Sequence, residues 1–139
     1  LNNMAKKTSK TNYTRSIGRR KSAVATVKIF SGKGDCLVNG IQLSKYFPTK
    51  TEKIIYDKPF EITKTAGKYH FSATIIGGGK TGQVQALSLA IARSLIKIDE
   101  SFKPVLRAGG LLTVDSRVKE RRMVGTGGKA RRQKQSPKR

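Results

Sequence analysis

The end of the chain limits what the rest can fold into. From Asp115 to Arg139 it reads DSRVKERRMVGTGGKARRQKQSPKR, with no apolar residue larger than Ala130 after Val124. From Arg117 onward there are ten Lys or Arg against one acid, Glu120. Such a segment cannot bury enough apolar surface to offset its ordering entropy, so alone in water it is expected to be disordered. Any core must come from what precedes it, and 139 residues leave room for one domain plus arms. The sequence divides into a flexible basic N-terminal arm (1–14), a compact domain (15–116) and an extended basic C-terminal tail (117–139).

The formal charge of +22 is uneven. The first acid is Asp35, so the chain begins with a long acid-free cationic stretch, and the centre is nearly balanced. A near-neutral middle with two cationic ends is the pattern of a polyanion binder. No amphipathic helix with aromatic anchors, no apolar run of membrane-spanning length and no signal-peptide hydrophobic region stands out, so no membrane role is expected. Residues 1–14 share the basic, Ser/Thr-rich character of organellar transit peptides but lack their apolar face, and a flexible arm is preferred.

Chemistry has little to stand on. Cys36 is the single cysteine, which excludes an internal disulfide and a Cys-based metal cage, and its apolar neighbours suggest a small buried hydrophobe. His70 is the single histidine, in a strand pattern with no acid or serine placed to make it a base. No paired carboxylates, zinc spacing or nucleophile signature appears, so no catalytic residue, metal or cofactor is expected, and the protein is read as no enzyme.

Along the chain, Arg15, Arg19, Arg20 and Lys21 form a cationic cluster just ahead of a strand, Ala23 to Phe30. Ala23, Ala25, Val27 and Ile29 alternate onto one apolar face, which should look inward. Ser31 to Asp35 is a turn, and Cys36 to Val38 is expected to return as that strand's hairpin partner. Asn39-Gly40 is a further tight turn, and Ile41 to Leu43 continues after it. Thr51 to Tyr56 fits a short helix ending before Pro59. Tyr69 to Ile76 alternates, with Tyr69, Phe71, Ala73 and Ile75 on one face. Gln83 to Lys97 is the clearest helix, its stripe formed by Val84, Leu87, Ile91, Leu95 and Ile98, with Leu89 and Ile96 widening it enough to imply cover on more than one side. A shorter helix is expected over Phe102 to Ala108 with Pro104 in its first turn, and a last strand over Leu111 to Val114. The order predicts an α+β or α/β two-layer sandwich, α+β preferred, a small sheet with packed helices, carrying basic extended tails.

Gly77-Gly78-Gly79-Lys80-Thr81-Gly82 sits between strand and helix and invites comparison with a nucleotide phosphate loop. That motif requires its first glycine at position 74, where this chain has Thr74, so nucleoside triphosphate hydrolysis is not expected. Two readings of Gly77, Gly78, Gly79 and Gly82 stay open here. One is a tight turn needing positive φ; the other is a close approach of backbone and Lys80 to an RNA phosphate.

Nucleic acid is the preferred partner of the charge clusters, and RNA is preferred over DNA. No helix-turn-helix, zinc finger or basic zipper is present to read a duplex groove, while a tail with Gly125, Gly127 and Gly128 can thread folded RNA. The expected RNA-binding residues are Arg15, Arg19, Arg20, Lys21, Lys80, Arg117, Lys119, Arg121, Arg122, Lys129, Arg131, Arg132 and Lys134.

Gly18-Arg19-Arg20-Lys21 with Ala23 and Ala25, Gly32 and Gly34, Val38-Asn39-Gly40, Gly77-Gly78-Gly79 with Gly82-Gln83, Ala92-Arg93, Gly110-Leu111-Leu112-Thr113 with Asp115 and Arg117, Glu120-Arg121-Arg122 and the closing Lys138-Arg139 together resemble the small-subunit ribosomal protein nine family of bacteria and organelles. The likeness covers about Arg15 to Arg139. It implies a ribosomal-protein-type fold with a left-handed βαβ crossover, placed in the head of the small subunit on its ribosomal RNA beside neighbouring head proteins. It also implies a tail reaching the transfer RNA in the peptidyl site, with Lys138 and Arg139 nearest the anticodon stem-loop. The family usually ends in Ser-Lys-Arg after an aromatic, whereas this chain has Pro137 between Ser136 and Lys138 and no aromatic there. Nineteen lysines against eleven arginines, with frequent Ile, point to an AT-rich genome, so a plastid stroma is preferred to a bacterial cytoplasm as the ribosome's compartment.

Overall fold

The alternation in Ala23–Ser31 organises the sheet. In the computed structural model, which describes residues 12–121, this stretch is strand β2, and Ala23, Ala25, Val27 and Ile29 are all buried on one face. β2 is paired antiparallel on both sides, with β1 (Tyr13–Arg20) and with β5 (Tyr69–Ile76). Phe71, Ala73 and Ile75 of β5 continue the same buried face. Two short strands, β3 (Leu37–Val38) and β4 (Ile41–Gln42), complete a five-stranded sheet in the order β1-β2-β5-β3-β4. Asn39 and Gly40 make the turn between β3 and β4 with φ of 51° and 79°, as a two-residue hairpin of the primed type requires.

Helix α3 (Lys80–Ile98) lies on the buried face, and Val84, Leu87, Ile91 and Leu95 are buried as the stripe predicts. Ser88 and Leu89 are buried too, because α2 (Lys50–Ile62) packs on α3 from the other side. Ile98, at the end of the stripe, is 37% exposed. The remaining helices are the short α1 (Leu43–Tyr46) and α4 (Lys103–Ala108), the latter carrying Pro104 in its first turn as expected. One layer of strands under helices makes the α+β sandwich. None of the helices among the described residues is long and apolar enough to cross a membrane.

Four local expectations need correction, each for a physical reason. Arg15, Arg19 and Arg20 of the cationic cluster are not a lead-in to a strand; they lie in strand β1, which begins at Tyr13 inside the expected arm and ends just before Lys21. Its inward positions are Thr14, Ser16, Gly18 and Arg20, so it shows no apolar face to betray it. Cys36–Val38 does not pair with β2, because β5 occupies that edge along eight residues; β3 runs parallel to β5 instead. The connection from β3 to β5 through α2 is the βαβ unit. Helix α2 continues through Pro59, which forgoes one backbone hydrogen bond. It is held by a capping box at Thr49 and Glu52, by burial of Tyr56 and Pro59, and by Thr63, whose Oγ1 donates to the Pro59 carbonyl at 2.8 Å. Finally, Leu111–Val114 forms no strand. The Leu111 N–H reaches back to the Leu106 carbonyl (3.1 Å) across Gly110 at φ 72°, a helix-ending motif that closes α4, while Leu111 and Leu112 pack on the core.

The small residues of β1 let α3 come unusually close. A Cβ at Gly18 would lie 2.6 Å from the Ala90 nitrogen and also collide with the Ala86 carbonyl oxygen. Two positions along, the Ser16 hydroxyl donates to the Ala90 carbonyl and pairs with Ser94. Backbone cannot yield as a flexible side chain can, so Gly18→Val should cost about 3 kcal/mol or more. Denaturant unfolding checks this: a midpoint lowered at unchanged slope is expected, and an unaltered midpoint would contradict the contact.

Candidate nucleic-acid interface

The two clusters read separately from the sequence, Arg19-Arg20-Lys21 and the glycine turn at 77–79, meet at one end of the molecule. Lys21, at φ 53°, opens the tight β1–β2 turn that presents Arg19 and Lys21 as exposed side chains. The turn between β5 and α3 packs directly beneath it. A Cβ on Gly77 would come within 2.6 Å of the Ser22 carbonyl oxygen, and one on Gly78 within 3.0 Å of the Ala23 Cβ. Both glycines also have positive φ, 77° and 66°. The tight-turn reading is therefore required of Gly77 and Gly78. Gly79 caps α3 in an extended conformation, and Gly82 is no part of the turn: α3 begins at Lys80, three residues earlier than its apolar stripe suggests, so Gly82 is buried in its first turn beneath Arg20. Gln83 braces the turn by donating from Nε2 to the Gly77 carbonyl (3.0 Å) and accepting at Oε1 from the Tyr46 hydroxyl (3.0 Å).

The beginning of the cationic tail is bound to the same end through Arg20. Its Nε donates to Gln85 Oε1 at 2.8 Å, one terminal nitrogen to the Arg117 carbonyl at 3.1 Å, and the other lies 3.2 Å from Asp115 Oδ2. The Arg20 side chain is only 14% exposed. Each of its three nitrogens has a partner in the protein, so Arg20 anchors the root of the tail. Asp115 is gripped from the other side by Arg117, whose guanidinium donates to both carboxylate oxygens and whose N–H donates to Oδ1 at 3.1 Å. The hydrogen bonds from Arg117, followed by the two guanidinium charges, hold the Asp115 carboxyl well below the usual carboxylate range. Past this clamp Lys119 and Arg121 are exposed.

The other expected residues fall into three groups. Lys80 is exposed at the start of α3, and its Nζ donates to the Tyr46 carbonyl (3.1 Å) while lying 3.4 Å from the centre of the Tyr46 ring, a cation–π contact that ties α1 to this end. Arg15 stands apart, five residues up β1 from Arg20, about 16 Å along an extended strand. Arg122, Lys129, Arg131, Arg132, Lys134, Lys138 and Arg139 lie outside the described residues. Among the described residues no His, Cys, Asp and Glu cluster could hold a metal ion. Cys36 is half-buried on the core, where burial pushes its thiol up, in keeping with an inert packing role.

Sequence reasoning missed three cations. Arg93 and Lys97 on α3 donate to the carbonyls of Ile17 (2.7 Å) and Arg15 (2.6 Å), covering the free edge of β1. Lys28 points from β2 to the face opposite the helices. Its place between inward-facing Val27 and Ile29 was the available signal.

A small α+β domain with an exposed cationic turn at one end, and the root of a basic tail clamped beside it, has the form of a polyanion-binding protein such as those of the ribosome. The family model described as Ribosomal protein S9/S16 matches residues 18–139, from Gly18 through the tail to the last residue. The curated relatives include the small ribosomal subunit protein uS9 of Cytophaga hutchinsonii, 45% identical over 123 residues, covering 88% of this chain and 95% of that protein. The uS9 of Maridesulfovibrio salexigens is 44% identical over 111 residues, covering 80% and 85%. The chain belongs to the ribosomal protein S9/S16 family. Both relatives are bacterial, so the preference for a plastid drawn from the lysine excess finds no support in them.

The clamp has a pH signature. The folded Asp115 carboxylate binds its proton less readily than in the unfolded chain. Its contribution is therefore whole above about pH 3.9, the ordinary aspartate value, and is lost as pH falls through the lowered folded value. An NMR titration of the carboxyl carbon should place its midpoint clearly below that of an exposed aspartate. Asp115→Ala should remove hydrogen-exchange protection from the Arg117 amide and leave that of β2 unchanged.

Proposed function

We propose that this protein is a structural component of the small ribosomal subunit, without enzymatic activity, that binds the subunit's ribosomal RNA through its cationic end. One observation carries the reading. The Arg20–Asp115–Arg117 clamp launches the tail from the very end where the β1–β2 turn exposes Arg19 and Lys21. An RNA backbone meeting this end would find Arg19, Lys21, Lys80 and Arg117 together, with Lys119 and Arg121 following. Arg122, Lys129, Arg131, Arg132 and Lys134 then extend the contact along the tail, and Arg15 serves farther up the strand. The tail's destination is peptidyl-site transfer RNA, with Lys138 and Arg139 at its tip. Its neighbours there are other proteins of the subunit head; the similar relatives are small-subunit proteins by name, which supports the placement on the small subunit.

Deleting residues 117–139 tests this. The domain should stay folded, while binding to small-subunit ribosomal RNA weakens and its salt slope falls by about 0.7–0.9 for every phosphate the tail had neutralised. Unchanged affinity and slope would contradict the role of the tail. Purified protein should turn over neither ATP nor GTP, and hydrolysis abolished by Lys80→Ala would overturn the non-enzymatic reading.

A further inference from the structure

The sheet has a second face. Register places Tyr13, Arg15, Ile17 and Arg19 of β1 beside Phe30, Lys28, Thr26 and Val24 of β2, and these beside His70, Ser72, Thr74 and Ile76 of β5. All are half-buried or exposed, and Ile76 is 70% exposed, because α3 and the core lie on the opposite side. Two features of this face need an explanation that the core does not supply. One is a row of rings across three strands: Tyr13 and Phe30 with centroids 5.9 Å apart, then Phe30 and His70 stacked at 5.2 Å and 14°. The His70 ring is held in place by Nδ1, 3.0 Å from the Gly32 carbonyl oxygen, and by the backbone of Gly34 packed against it. The other is charge. Arg15, Arg19 and Lys28 point to this side, the Lys28 Nζ lies 5.2 Å from the Tyr13 ring centre, and β1, β2 and β5 contain no Asp or Glu at all.

We propose that this open face is a second RNA site, taking an unpaired stretch of ribosomal RNA. The inference rests on the RNA-binding reading above and extends it from Arg19 and Arg15, which border that contact, to the aromatic row and Lys28, which it does not use. Fixed rings beside cations suit nucleotides whose base faces are free: a base lies against the aromatic row, and Arg15 and Lys28 in the next rung, with Arg19 farther toward the β1–β2 turn, meet the phosphates that lead away from it. A paired duplex offers its phosphates but hides its base faces, so it uses only half of what is there. An acidic protein would answer the charges but not the rings. The chain's own first residues, with Lys6, Lys7 and Lys10 and no acid, would repel the same cations.

Binding of the full-length chain to small-subunit ribosomal RNA, combined with ultraviolet cross-linking in the assembled subunit, tests the site. Tyr13→Leu should weaken binding about tenfold, and Tyr13→Phe should restore it, because the ring that stacks on a base is removed and then returned. Lys28→Ala should lower the salt slope by about 0.7, the share of one phosphate on a single strand. Thermal unfolding of each variant should match the parent. Cross-links from Tyr13 should fall on nucleotides that are unpaired in the RNA. If Tyr13→Leu and Lys28→Ala bind like the parent while deletion of 117–139 weakens binding, the open face is not an RNA site and the proposed function stands. Cross-links from Tyr13 to a protein or to paired nucleotides overturn it equally. A full-length chain that fails to bind the RNA at all overturns the proposed function, and this site with it.

Discussion

The molecule depends on how closely α3 lies on β1. That approach is set by Ser16 and Gly18 against Ala86 and Ala90, where side-chain bulk is minimal and a single added carbon collides with backbone. The consequences follow along both elements. Toward one end of the helix, Arg93 and Lys97 reach the carbonyls of Ile17 and Arg15 and close the sheet edge. Toward the other, Gln85 stands beside Arg20 and orients its guanidinium onto Asp115. A wider spacing would leave Arg20 short of Gln85 and the tail without its anchor. A packing constraint in the core thus decides where the charge is delivered.

Gathering cations works against the folded chain unless something offsets their repulsion. Within the protein, the offset at the clamp is one carboxylate between two guanidiniums, and Asp115 keeps its charge to lower pH than an ordinary aspartate because of it. Among the described residues, other cations donate to backbone carbonyls, as Arg93 and Lys97 do, or face rings, as Lys80 does over Tyr46 and Lys28 beside Tyr13. Such an arrangement is most stable when a polyanion is present, so the charge that opposes compaction in the free chain is the charge that favours the complex.

Much of the fold was legible in the sequence, for identifiable reasons. β2 and β5 have apolar residues on every second position, and α3 has them at helical spacing, so both kinds of element announce themselves. β1 does not, because its inward face is built from Thr14, Ser16 and Gly18 under a helix and carries no apolar periodicity. The partner of β3 could not be read either, since two residues of strand carry no pairing preference and the choice was made by β5 filling the edge of β2. Leu111 to Val114 reads as a strand by composition, but its first residues close α4. At the interface, the types of residue were legible and their division of labour was not. Arg19, Arg20 and Lys21 are consecutive cations, yet Arg20 turns inward to hold the tail while its neighbours stay exposed, an alternation that only the strand reveals. The glycine turn and the arginine cluster, more than fifty residues apart in sequence, could each be recognised but not joined.

In the proposed function the β1–β2 turn and the root of the tail form one RNA-facing end. Tethered hydroxyl-radical probing tests it most directly, with the native thiol removed by Cys36→Ser and an iron chelate placed in turn on Lys21→Cys and Arg121→Cys of the full-length chain bound in small subunits. The two probes should cut overlapping stretches of ribosomal RNA. Cleavage of two separate regions, or of none, would contradict it.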